Sequence, residues 1–113
     1  MKLYVISLIG CPYCAATIEL FNQLNINSNI KEITWEEKDD YKTDLISTFP
    51  QVYYNEKLLG GYEDINEIRL KLEKIYSSDK KNKLELMSKF LNNKYNQLER
   101  KEILRIIELF IKQ

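Results

Sequence analysis

The chain has 113 residues, 44% hydrophobic and 30% charged, with 17 basic and 17 acidic side chains and a formal net charge of zero. That balance suits a soluble globular protein with a core of its own. It argues against a nucleic-acid binder, which carries a basic excess. No apolar run approaches the ~18–20 residues that cross a bilayer. The chain holds no histidine, which removes imidazole metal sites and Cys–His or Ser–His catalysis.

In chain order, Lys2 to Leu8 clusters apolar residues as a buried first strand does. The segment Met1 to Ile9 is too short for a secretory signal and runs directly into Gly10, Cys11 and Pro12. Pro12 suits the first position of a helix, where its missing N–H costs nothing. Ala15, Ala16, Ile18, Leu20, Phe21 and Leu24 continue that helix to about Asn25–Asn29, and Ile30 to Thr34 forms a second strand. Glu36 to Asp44, leading into Leu45 and Ile46, reads as a solvated helix with a narrow apolar stripe. Thr48-Phe49-Pro50 ends it, because the residue before a proline avoids the helical region. Gln51 to Tyr54 and Lys57 to Leu59 form a hairpin around Asn55-Glu56, closed by Gly60-Gly61. Ile65, Ile68, Leu72 and Ile75 share one helical face. This alternation defines an α/β domain over residues 1–76 whose first strands are parallel.

Residues 77–113 form a C-terminal helical extension. Ser77 to Lys83 is a polar hinge. Leu84, Met87, Leu91 and Tyr95 make one helical stripe, and Ile103, Ile106, Ile107, Phe110 and Ile111 make another, with Asn92-Asn93 between them. Two helices or one bent helix fit this pattern. The stripes either pack within the protein or dock a partner protein or a second copy of the chain.

Chemistry concentrates at Cys11-Pro12-Tyr13-Cys14, between a strand and a helix. The thiolate is the reactive form of cysteine, and unpaired N–H groups at a helix start favour it at Cys11. Cys14 lies one turn on, within reach of a mixed disulfide held on Cys11. A zinc site needs four ligands, and no second pair is available. Two cysteines three apart are not a secreted disulfide framework, so a cytoplasmic location is expected.

The sequence resembles the glutaredoxins. Cys11-Pro12-Tyr13-Cys14 is similar to that family's dithiol motif, Thr48-Phe49-Pro50-Gln51-Val52 to its Thr-Val-Pro segment, and Gly60-Gly61-Tyr62-Glu63-Asp64 to its Gly-Gly-x-x-Asp turn. The resemblance covers about Met1 to Tyr76. It implies a thioredoxin-like fold, a four-stranded mixed sheet flanked by helices. It also implies glutathione-dependent reduction of protein disulfides and glutathione mixed disulfides, with glutathione as reductant and no metal. Cys11 takes the nucleophile's role and Cys14 the resolving thiol's, with Pro50 in the cis form. Thr48 and Phe49 offer main-chain hydrogen bonds to the cysteinyl part of glutathione. Tyr62 and Glu63 offer backbone N–H groups to its γ-glutamyl carboxylate, and Tyr13 lines the groove. The implied partners are glutathione and disulfide-bearing client proteins, with neither nucleic acid nor membrane.

Leu8, Ile46 and Ser47 occupy positions where the family often has the side chains that hold the glycyl carboxylate, and Lys42 is a candidate substitute. Trp35 reads as an edge-of-core aromatic. Two further readings stand beside the main one. One is a dithiol reductant serving a dedicated client such as ribonucleotide reductase, with weak glutathione use. The other is a glutathione-linked iron–sulfur carrier.

Overall fold

A computed structural model describes residues 3–111. Met1 and Lys2, and so the start of the expected first strand, lie outside the described residues, as do Lys112 and Gln113. The chain divides into two compact units, Met1–Ile65 and Asn66–Gln113.

The first unit is built on a four-stranded sheet. Strand β1 is Leu3–Leu8, β2 is Asn29–Ile33, β3 is Gln51–Tyr54 and β4 is Lys57–Gly60, in the order β2-β1-β3-β4. β1 pairs parallel with β2 and antiparallel with β3, and β3 pairs antiparallel with β4. This is the mixed sheet of a thioredoxin-like fold. β1 is central, and Leu3, Val5, Ile6 and Leu8 are all buried. A strand covered on both faces reads as a near-continuous apolar run. β2 is an edge strand with Asn29 to Glu32 exposed, and its Lys31 and Glu32 are the charged residues by which edges resist stray pairing.

Helix α1, Pro12–Gln23, buries Cys14, Thr17 and Phe21 along one face. It stops where Asn25 turns left-handed (φ 56°) and Ile26 N–H reaches back to the Phe21 carbonyl at 2.8 Å. Asparagine tolerates that conformation, so it closes the helix as a glycine would. In the hairpin, Asn55 (φ 49°) and Glu56 (φ 72°) are both left-handed, as a two-residue turn with the right twist requires.

The helix expected over Glu36 to Ile46 does not form. A single 3-10 turn, Lys38–Tyr41, stands in its place. Side chains take over the backbone on both sides of it. Glu37 accepts from Thr34 N–H at 2.9 Å and from its hydroxyl at 3.1 Å. Thr43 Oγ1 accepts from the N–H groups of Leu45 and Ile46, both at 3.1 Å. Such local bonds compete with a helix ladder, and here they win. Leu45, counted as part of an apolar stripe, is 81% exposed. Trp35, expected at the edge of the core, is exposed with the Lys38 ammonium 4.3 Å from its ring centre.

Helix α2, Tyr62–Tyr76, starts in the first unit and continues into the second. Ile65, Ile68 and Leu72 are fully buried, as their spacing predicts. The second unit adds α3, Lys83–Lys94, and α4, Arg100–Phe110, so the extension is two helices. The break falls at Tyr95–Leu98, not at Asn92-Asn93, which lie inside α3. What places it is the start of α4, where Glu102 accepts from the Glu99 N–H at 2.8 Å in a capping box. Met87, Leu91, Tyr95, Ile103, Ile106, Ile107 and Phe110 are buried, so both stripes serve packing, while Leu84 is exposed. Among the described residues no helix is long and apolar enough to cross a membrane.

Candidate active site

β1 ends in a turn in which Gly10 is left-handed (φ 78°) and Cys11 N–H bonds the Leu8 carbonyl at 3.1 Å. That turn delivers Cys11 to the N-cap of α1 in an extended conformation (φ −88°, ψ 116°), with Pro12 next. A cap side chain satisfies N–H groups that the first turn leaves unpaired. Here the cap is sulfur, and Cys14 N–H donates to Cys11 Sγ at 3.2 Å. This interaction strengthens when the sulfur carries negative charge.

Cys14 is 1% exposed, whereas Cys11 is half-buried, and neither is in a disulfide. Leu8 N–H points at Cys14 Sγ, 3.4 Å away. Burial, and then the hydrogen bond and charge of Cys11, push the Cys14 thiol up to about 11. Cys14 therefore holds its proton at neutral pH, and only Cys11 is open to an incoming disulfide.

The Phe49–Pro50 peptide bond is cis, as the resemblance implies. The Phe49 carbonyl lies 3.6 Å from Cys11 Sγ, within reach of the thiol proton. Pro50 is buried, and a Cβ placed on Gly61 would lie 3.4 Å from the Pro50 carbonyl, so the Gly-Gly turn runs close beside it. Gly61 N–H donates to Asp64 Oδ2 at 3.1 Å, which caps the start of α2. Gly60 is left-handed (φ 121°), and a Cβ there would overlap the Asp64 side chain. Across the same region the rings of Tyr13 and Tyr62 meet with centres 5.7 Å apart.

The fold thus brings together Cys11, Cys14, Phe49 and Pro50, with Tyr13 and Tyr62 beside them. Thr48 and Glu63 are exposed neighbours of Phe49 and Tyr62 in the chain. Lys42, the candidate for the glycyl carboxylate, pairs with Asp39 at 3.0 Å. Sequence reasoning missed Tyr41 and Gln51. Tyr41 packs with Phe49, Tyr53 and Cys11 against the buried cluster of Ile6, Leu8, Cys14 and Ile33. Gln51, fully buried, donates to the Tyr41 carbonyl at 2.8 Å and accepts from the Tyr53 hydroxyl at 3.0 Å. A glutamine in an otherwise apolar and aromatic strand was the available signal, but its partner ten residues back is set by the fold. Among the described residues no group of three or more Cys, Asp or Glu is arranged to hold a metal ion.

A paired thiol at a helix start, beside a cis-proline on a mixed four-stranded sheet, defines a protein of the thioredoxin-like class. The sequence profile of the family named Glutaredoxin matches residues 3–59. The chain belongs to the glutaredoxin family and is a thiol–disulfide oxidoreductase by that membership. No curated protein matches it significantly in sequence. Glutaredoxin 1 from Francisella tularensis, solved with cacodylate, superposes with a TM-score of 0.57 at 22% identity, over 65% of this chain and 96% of that one. The dithiolic glutaredoxin 2-C-Grx1 of Trypanosoma brucei brucei gives 0.50 at 20% identity, over 62% and 78%. Both likenesses are of fold.

Proposed function

We propose that the protein uses Cys11 as nucleophile and Cys14 as resolving thiol to reduce protein disulfides and glutathione mixed disulfides, with glutathione as the reductant. The observation that carries the reading is the unequal pair: a solvent-reachable sulfur capped by an N–H at 3.2 Å and a buried thiol one turn later. The Cys11 thiolate attacks one sulfur of the substrate disulfide, forming a mixed disulfide and expelling the other sulfur as a thiolate that takes up a proton. A glutathione thiolate then attacks the Cys11–glutathione bond, leaving oxidised glutathione and the free Cys11 thiolate. With a protein client, Cys14 gives up its proton and displaces the client from Cys11, leaving a Cys11–Cys14 disulfide for glutathione to reduce.

In this reading Thr48 and Phe49 present main-chain groups to the cysteinyl part of glutathione. The Tyr62 and Glu63 N–H groups at the start of α2 meet its γ-glutamyl carboxylate, and Tyr13 lines the groove. Residues 1–76 carry the chemistry and 77–113 form the extension. The working compartment is the cytoplasm, where thiols are kept reduced. The test is turnover of a small glutathione mixed disulfide with glutathione, glutathione reductase and NADPH. Wild type should turn over, Cys11→Ser should be inactive, and Cys14→Ser should retain much of the rate. Equal activity in wild type and Cys11→Ser would remove the assignment.

A further inference from the structure

The connection from β2 to β3 has no α-helix to hold it against the sheet, and its residues 42–50 form neither helix nor strand. Their own hydrogen bonds are local, with Thr43 bonded to Leu45 and Ile46, and the Lys42–Asp39 ion pair is equally local. Most of the segment is exposed, yet both of its ends return to one place. Tyr41 at one end and Phe49 at the other pack, as Cys11 does, against the cluster of Ile6, Leu8, Cys14 and Ile33. What joins the ends is a side chain. Gln51 opens β3 opposite Ile6 of the central strand, and it is fully buried. Its amide donates to the Tyr41 carbonyl at 2.8 Å and accepts from the Tyr53 hydroxyl at 3.0 Å. A carbonyl can only accept, so one orientation of the amide satisfies both partners. A buried polar network satisfied in this way holds a single arrangement, because breaking it strands polar groups away from water.

We propose that Gln51 is a positioning residue: by tying Tyr41 to the sheet it closes residues 42–50 into a fixed loop and aligns the Thr48–Phe49 rim against which a disulfide substrate meets Cys11. This rests on the function proposed above, which gives the Thr48 and Phe49 main chain to the cysteinyl part of glutathione, and it names what holds that rim. Phe49 is separated from Gln51 by Pro50 alone, and its carbonyl lies 3.6 Å from Cys11 Sγ. The N–H that supports charge on the same sulfur comes from Cys14 in α1, a separate element. The two tasks therefore part. The start of α1 sets the reactivity of the sulfur, and the loop closed by Gln51 sets how a substrate is aligned with it. A misplacement of about 1 Å costs up to ~100-fold in rate even when the reacting groups are untouched.

The test is steady-state turnover of a small glutathione mixed disulfide by the full chain, with glutathione, glutathione reductase and NADPH. Beside it, alkylation by iodoacetamide at pH 7 reads Cys11, since Cys14 is sealed. Gln51→Met keeps the volume and removes the amide. Gln51→Asn keeps an amide but falls one C–C bond, ~1.5 Å, short of Tyr41. Each should raise KM for the mixed disulfide about tenfold, with kcat and the alkylation rate within about twofold of wild type. Tyr53→Phe spares the bond to Tyr41 and should raise KM less. A role in stability alone would instead lower kcat and the amount of rapidly alkylated thiol together and leave KM as it is. That result, an unchanged KM in the Gln51 variants, or an equal rise in Tyr53→Phe overturns the proposal. If Gln51→Met does not fold, Gln51→Asn carries the same comparison. If wild type turns over no faster than Cys11→Ser, the redox assignment itself falls and the inference falls with it.

Discussion

The two sulfurs differ in role because their surroundings differ. Cys11 sits at the cap, where Cys14 N–H supports negative charge on it, while Cys14 is sealed beneath the first turn. Part of what raises Cys14 is Cys11 itself, through a hydrogen bond and through charge; the larger part is burial. In Cys11→Ser the charge is gone and burial remains. Cys14 should then titrate below about 11 yet above an ordinary thiol, measured by ultraviolet thiolate absorbance against pH. The same relief accompanies a mixed disulfide on Cys11, which readies Cys14 to resolve it. At Gly60 the constraint is backbone and space together. Gly60→Ala forces a side chain into a left-handed position against Asp64 and should cost roughly 1–3 kcal/mol in urea denaturation. The cysteine pair was legible from its spacing before a helix. The inequality of its members was not, because burial of Cys14 depends on residues brought in from β1.

Elements with a strong local signal formed where expected. Pro12 opens α1, and the apolar face of α2 is Ile65, Ile68 and Leu72. The hairpin also followed its pattern, but its turn holds Glu56 at φ 72°, where glycine would be free of strain. Glu56→Gly should raise the urea midpoint with an unchanged slope, by up to about 1 kcal/mol, since the relief of a left-handed side chain exceeds glycine's entropy cost. The β2-to-β3 connection went the other way. Its charge and apolar spacing suggested a helix, and Thr34, Glu37 and Thr43 redirected the backbone into turns. A stripe as thin as Leu45 and Ile46 buries too little surface to outweigh those bonds. In α3 the buried residue Leu91 has no exposed surface, and Leu91→Ala should cost about 2–5 kcal/mol.

For the whole molecule, the buried thiol links stability to pH. Folding raises the Cys14 pKa from 9.0 to about 11, so its neutral form contributes fully below pH 9. That contribution declines as pH rises from 9 towards 11, where the unfolded thiol ionises and the folded one resists. Urea midpoints of the wild type should fall across that window, and Cys14→Ser should show a shallower fall. The uneven distribution of charge also belongs to this scale. Neutrality of the full chain conceals an acidic first unit balanced by a basic second one, so net charge alone says nothing about what approaches Cys11.

The sequence by itself determined the class of fold, the order of its strands, and the two sulfurs. Those features rest on local rules: period, proline and glycine geometry, and the spacing of Cys11 and Cys14. Only the tertiary structure decided that Cys14 is the sealed thiol and that Gln51 ties Tyr41 to the sheet. It also decided that the stripes of α3 and α4 are buried. Each of these depends on neighbours distant in the chain or on competition between alternative hydrogen bonds, which no single segment encodes.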